Sequence, residues 1–125
     1  MVTDTCEIQD DVVIVRLAAG DFARLADIVR IASEEEAFTG PMRLLIDLRI
    51  PAREITYKDM CSQARALAGL RDVVARQWAI LAADSIEAMN AAFTFASLAR
   101  VENVVARVFI EEAKALLWLQ EGKRP

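Results

Sequence analysis

Dense apolar runs alternate with helix-period segments along this chain. Val12-Val13-Ile14-Val15-Arg16-Leu17 is a β-branched run and reads as a central strand. Cys6 to Gln9 fits a short edge strand ahead of it, with Asp10-Asp11 as the turn. Ala19-Gly20-Asp21 breaks the run, and Asp21 stands where a helix N-cap belongs. Phe22, Leu25, Ile28, Val29 and Ala32 then recur at helical spacing. They form one apolar stripe of a helix from about Phe22 to Ala37. Glu34-Glu35-Glu36 reads as its solvated end, where acids oppose the helix dipole, and Gly40-Pro41 closes it.

Arg43 to Leu48 predicts a second central strand, apolar on both faces, followed by a loop over Arg49 to Ile55. Thr56-Tyr57-Lys58-Asp59 is a capping box for a helix from Tyr57 to Leu67. Tyr57, Met60, Cys61, Ala64 and Leu67 fall on one side of that helix, and Gly69 suits its C-cap. Gln77 to Ala82 predicts a third buried strand. Asp84 to Glu87 carries another capping signature for a helix from Ser85 to Val101. Val104 to Phe109 predicts a fourth strand, and Glu111 to Glu121 a last helix ended by Gly122. The order is β-β-α-β-α-β-α-β-α. That rhythm predicts an α/β fold with a mostly parallel five-stranded sheet and four helices.

The helix from Ser85 to Val101 has almost no polar face. Glu87, Asn90, Thr94 and Ser97 share one narrow strip, and nearly every other position is apolar. Ile86, Met89 and Phe93 point one way, while Phe95 and Leu98, with Ala91, point well away from them. A helix lying on a sheet needs about 100° of apolar surface, so this one has a surplus. Phe95 and Leu98 therefore need a cover: a neighbouring helix, a second copy of the chain, or an apolar ligand. Met89, Phe93, Phe95 and Leu98 are the candidate interface or ligand contacts.

Composition narrows the chemistry. The 125 residues have the length of one domain, so residues 1–125 are read as a single unit able to bury a core. Alanine, at 22 residues, favours helix and close helix–sheet packing. The net charge of -4 argues against a general nucleic-acid binder. It is uneven: residues 1–40 carry a net -6, residues 41–80 a net +3 and residues 81–125 a net -1. Cys6 and Cys61 read as thiols of a reducing cytoplasm. The start of the chain lacks a secretory h-region, and no apolar run approaches a membrane span, so a cytoplasmic location is expected.

No histidine is present, which removes the usual neutral-pH base and most zinc sites. With four glycines and no GxGxxG, GxxxxGK[ST] or GxSxG, phosphate-cradling loops and a nucleophile elbow are not expected. No cofactor and no metal site are expected, although Asp47 and Asp84 both lie at strand ends. Two features invite an anion. Arg49 and Arg53, with Lys58 nearby, lie beyond a strand end and next to the helix start at Thr56. The plainer reading is a solvated basic loop with Thr56 acting only as a cap.

Three segments together, Arg43-Leu44-Leu45-Ile46-Asp47-Leu48, Trp78-Ala79-Ile80-Leu81 and Val108-Phe109-Ile110-Glu111-Glu112-Ala113-Lys114-Ala115-Leu116-Leu117-Trp118-Leu119, resemble the SpoIIAA-like proteins, often described as STAS/CRAL-TRIO-like. The resemblance implies a single STAS-like β/α superhelix with an added edge strand. It implies bacterial relatives that antagonise anti-sigma factors, switched by phosphorylation of a serine at the helix start after the second central strand. Thr56 matches that serine by position, in Ile55-Thr56-Tyr57-Lys58 rather than an Asp-Ser-Ser-Gly-type stretch. The CRAL-TRIO side implies a lipid-like ligand. The expected function is a non-enzymatic interaction or regulatory module, homodimeric through the third helix, with a regulatory protein as a further partner. The alternative is a carrier of a small apolar molecule in a cavity lined by Trp78, Met89, Phe93 or Phe95.

Overall fold

The computed structural model describes residues 6–18, 20–35, 38, 40–51, 53 and 55–121. The expected helix end at Glu36-Ala37, the stop at Gly122 and the tail after it lie outside these residues. The chain runs β1 (Cys6–Gln9), β2 (Val12–Arg16), a 3-10 turn (Phe22–Arg24), α1 (Leu25–Glu35), β3 (Met42–Asp47), α2 (Tyr57–Ala68), β4 (Val74–Leu81), α3 (Ile86–Val101), β5 (Val105–Phe109) and α4 (Glu112–Glu121). The expected order of strands and helices is reproduced.

The five strands form one sheet in sequence order, β1-β2-β3-β4-β5. β1 pairs antiparallel with β2 through a tight turn in which Asp10 takes φ 56°. The other three pairs are parallel. Alternate residues of each strand face opposite layers. Val13, Val15, Leu44, Ile46, Trp78 and Ile80 face the main core with α1, α2 and α3. Val12, Ile14, Leu45, Ala79 and Leu81 face a second, smaller core closed by Ala115 and Leu119 of α4. Burial on both faces is why β2 and β3 read as unbroken apolar runs.

Local details depart from expectation. Asp21 does not cap α1: its carboxylate turns back to accept from the Ala18 N–H at 3.1 Å, and a 3-10 turn follows. Gln63, from α2, serves the start of α1 instead. Its Oε1 accepts from Ala26 N–H and its Nε2 donates to the Ala23 carbonyl, both at 2.8 Å. β4 begins at Val74, three residues before the expected start at Gln77. Ser85, not Asp84, caps α3 by accepting from Ala88 N–H at 3.1 Å. Gly69 does cap α2, but at φ -73°, without a left-handed turn.

Candidate functional site

The carboxyl ends of the parallel strands gather the charged side chains. The β2–β3 register sets Arg16 directly beside Asp47, on the α4 side of the sheet. Arg16 forms a bidentate pair with Glu112 in the first turn of α4, at 2.7 and 3.1 Å. Its Nη1 also lies 3.5 Å from Asp47. Arg49, just past β3, folds back on Asp47 with Nε–Oδ1 and Nη2–Oδ2 contacts of 3.0 and 2.9 Å. The Arg49 backbone N–H adds a third bond at 3.0 Å. Asp47, 8% exposed, is the one buried charged residue among those described.

Burial pushes the Asp47 carboxyl up, but the hydrogen bonds from Arg49 together with nearby Arg16 outweigh it, and the group ends below its ordinary value. The bond from Arg16 holds Glu112 below its ordinary value as well. Two carboxylates kept ionised by two arginines make a structural lock. Neither is poised to hand over a proton.

Arg49 and Arg53 both line a cleft of about 450 Å³, together with Ile50, Pro51, Ala83, Ser85, Glu87 and Ala88. The cleft lies between the loop after β3 and the start of α3, as expected for the strand ends of an open sheet. Its charge is largely spent. Arg49 is committed to Asp47 and reaches Glu112 at 3.8 Å, while Glu87, from the start of α3, lines the same cleft as Arg53. Thr56 does not line this cleft. It is exposed and caps α2, its Oγ1 accepting from Asp59 N–H at 3.1 Å. A second cleft of about 340 Å³ is lined by residues including Arg30, Glu34, Arg71 and Asp72. No group of three or more acids or cysteines that could hold a metal ion occurs among the described residues. No disulfide joins Cys6 and Cys61.

Phe95 and Leu98 of the third helix find their cover within the chain. Phe95 is 0% exposed, enclosed by this chain alone. Its ring stacks on Trp78 at 6.2 Å and meets the edge of Phe22 at 5.4 Å. Leu98 is half-buried against the same core. Phe95 is thus no interface or ligand contact, and Leu98 needs no outside cover. Ala88, Ala92, Ala96 and Ala99 line the inward arc, where small side chains let α3 sit close to the sheet and α2. The outward arc carries Ile86, 81% exposed, Phe93, 49% exposed, and Val101, 76% exposed, with Asn90 and Ser97 between them. Met89 is half-buried at its margin. Neither cleft is lined by Trp78, Met89, Phe93 or Phe95.

Fold and surface together define an α/β domain with a locked strand-end ion cluster and an outward face of α3 on which Ile86, Phe93 and Val101 are exposed among the polar Glu87, Asn90 and Ser97. No helix among the described residues is long and apolar enough to cross a membrane. No family model, curated protein or solved structure matches the chain.

Proposed function

We propose that the chain is a non-enzymatic interaction module that self-associates through the outward face of α3. One observation carries this reading: Ile86, Phe93 and Val101 share one arc of α3 that points away from the sheet, and all three are exposed. Apolar side chains exposed at intervals along one helix face give a second copy something to bury. The strand-end charges support the non-enzymatic part, since Asp47 and Glu112 spend their charge on Arg16 and Arg49. The regulatory, SpoIIAA-like reading belongs to the same proposal, and the element order supports it. The carrier reading is less favoured, because Trp78 and Phe95, two of the four residues named for its cavity, are packed on each other.

Sedimentation equilibrium tests the proposal. The wild-type chain is expected to dimerise, and Phe93→Asp to shift it to monomer without unfolding it. A wild-type chain that stays monomeric at about 100 µM, where even a small, weak interface assembles, would overturn it.

A further inference from the structure

Among the described residues, α4 is the one helix on its face of the sheet. α1, α2 and α3 all pack on the main core, while Ala115 and Leu119 of α4 close the second one. The sheet separates the two cores, so removing α4 would not open the main one. Ala115 and Leu119 are the buried residues of a ten-residue helix, against five of eleven in α1. A helix that short is not stable by itself in water. α4 is therefore held by what it meets on β3, β4 and β5.

Those contacts are few and local. Trp118 leans on Phe109 with ring centroids 5.6 Å apart, and the Arg107 guanidinium lies 5.4 Å from the same Phe109 ring. Among the described residues, the ion pairs from α4 to the strands run through one side chain. Glu112 meets Arg16 at 2.7 and 3.1 Å and Arg49 at 3.8 Å. The pair Lys114–Glu111, at 2.8 Å, stays within one turn. Arg16 has other carboxylates at hand, Asp47 at 3.5 Å and Glu7 at 3.6 Å, so it is not orphaned when Glu112 leaves. The Phe109 carbonyl is pinned by the Ala82 N–H at 2.8 Å, and the exposed Ile110 and Glu111 lead from there into α4.

We propose that α4 is a latched strap, which leaves the sheet as one unit about Ile110 and Glu111, with Glu112 as the latch and the rest of the fold intact. Opening uncovers Val12, Ile14, Leu45, Ala79 and Leu81, each 0% exposed while α4 is closed. Ile14, Leu45 and Ala79 stand in one register row, so the strip runs unbroken across β2, β3 and β4. The latch is worked by charge. Arg16 and Glu112 are partly exposed, at 39% and 31% of their side chains, so salt and competing anions reach the pair. The apolar strip beneath stays dry until the helix moves. This device lies on the opposite side of the sheet from α3 and does not rest on self-association.

Hydrogen exchange on the full chain, read by mass spectrometry, tests it. In wild type, amides 115–121 are expected to exchange together, roughly a hundredfold faster than those of β3. Glu112→Gln and Arg16→Gln are each expected to speed α4 about fivefold more, and the double variant no further than either. Raising the salt is expected to speed α4 in wild type and not in Glu112→Gln. Lys114→Gln, which breaks the local pair, is expected to leave α4 unchanged. Thiol labelling gives a second readout. On a Cys61→Ser background, Ala115→Cys is expected to be labelled faster, by the same factor, once Glu112→Gln is added. Exchange of α4 in step with β3 in every variant would show that α4 leaves only with the whole fold, and overturns the strap. Exchange that creeps inward from Glu121 would show fraying and overturns it too. Fast exchange indifferent to Glu112→Gln overturns the latch.

Discussion

Phe95 of α3 stacks on Trp78 of β4 with ring centroids 6.2 Å apart and planes inclined by 21°. Phe22 closes the other side edge-on. This aromatic slot sets the rotation of α3 about its own axis, and with it which side chains remain in water. Phe95→Ala is expected to cost about 3–5 kcal/mol, through lost burial and the cavity left behind. Phe93→Ala, two positions away, is expected to cost under about 1 kcal/mol. Urea denaturation of the two variants measures the contrast. Similar costs would mean that the two rings are not divided between core and surface.

The strand-end cluster predicts an acid sensitivity with a definite sign. Folded Asp47 and Glu112 both lie below their ordinary values. The stability they contribute is present above the ordinary carboxylate range and is lost as pH falls through their lowered folded values. The urea midpoint is expected to fall between about pH 7 and about pH 3, and to fall less in an Asp47→Asn/Glu112→Gln double variant. An equal fall in both proteins would show that other carboxylates carry the effect.

Asp47 and Arg49 are expected to couple. Arg49→Ala leaves a buried carboxylate with Arg16 and one backbone N–H, while Asp47→Asn removes the need for the cation. Because the Arg49 side chain is 45% exposed, solvent screening limits the coupling to about 1 kcal/mol in a double-mutant cycle. Strictly additive single effects would contradict the pairing.

Arg76 ties together two helix ends. Its guanidinium donates to the Ala68 carbonyl at the end of α2, at 3.3 Å, and to the Asn103 carbonyl, at 3.1 Å. It also donates to the Glu102 carbonyl in the turn after α3. A planar fork spreads its donors over three separate carbonyls, where a lysine ammonium would gather its three at one point. Arg76→Met is expected to destabilise by about 2–3 kcal/mol, and Arg76→Lys to recover less than half of that in urea denaturation. Full recovery by lysine would mean that charge, not the fork, is what matters.

Thr56 caps α2 through one hydrogen bond from Asp59 N–H. Thr56→Ala is expected to cost about 1 kcal/mol and Thr56→Ser only a few tenths in thermal melts. A neutral Thr56→Ala would remove the capping role.

Much of the fold was legible in local pattern. β-branched runs, helical spacing and breakers such as Gly40-Pro41 act over a few residues, so they marked every strand and helix in order. Caps were legible where the donor lies close by, as at Thr56. They misled where a partner comes from elsewhere, as when Gln63 takes over the start of α1 across 37 residues of chain. The candidate site was legible only in part. Arg49 and Arg53 do meet in one cleft, but nothing in the loop's sequence shows that Arg49 spends its charge on Asp47.

The division is clearest in α3. Its sequence required an excess of apolar surface, because that follows from which residues lie along it. Which arc turned inward needed Phe22 and Trp78, brought together by packing between elements. Helical periodicity is set by neighbours on the chain, whereas helix rotation is set by whatever surface the helix meets. Phe95 and Phe93, two residues apart, therefore took opposite fates that only the assembled core could assign.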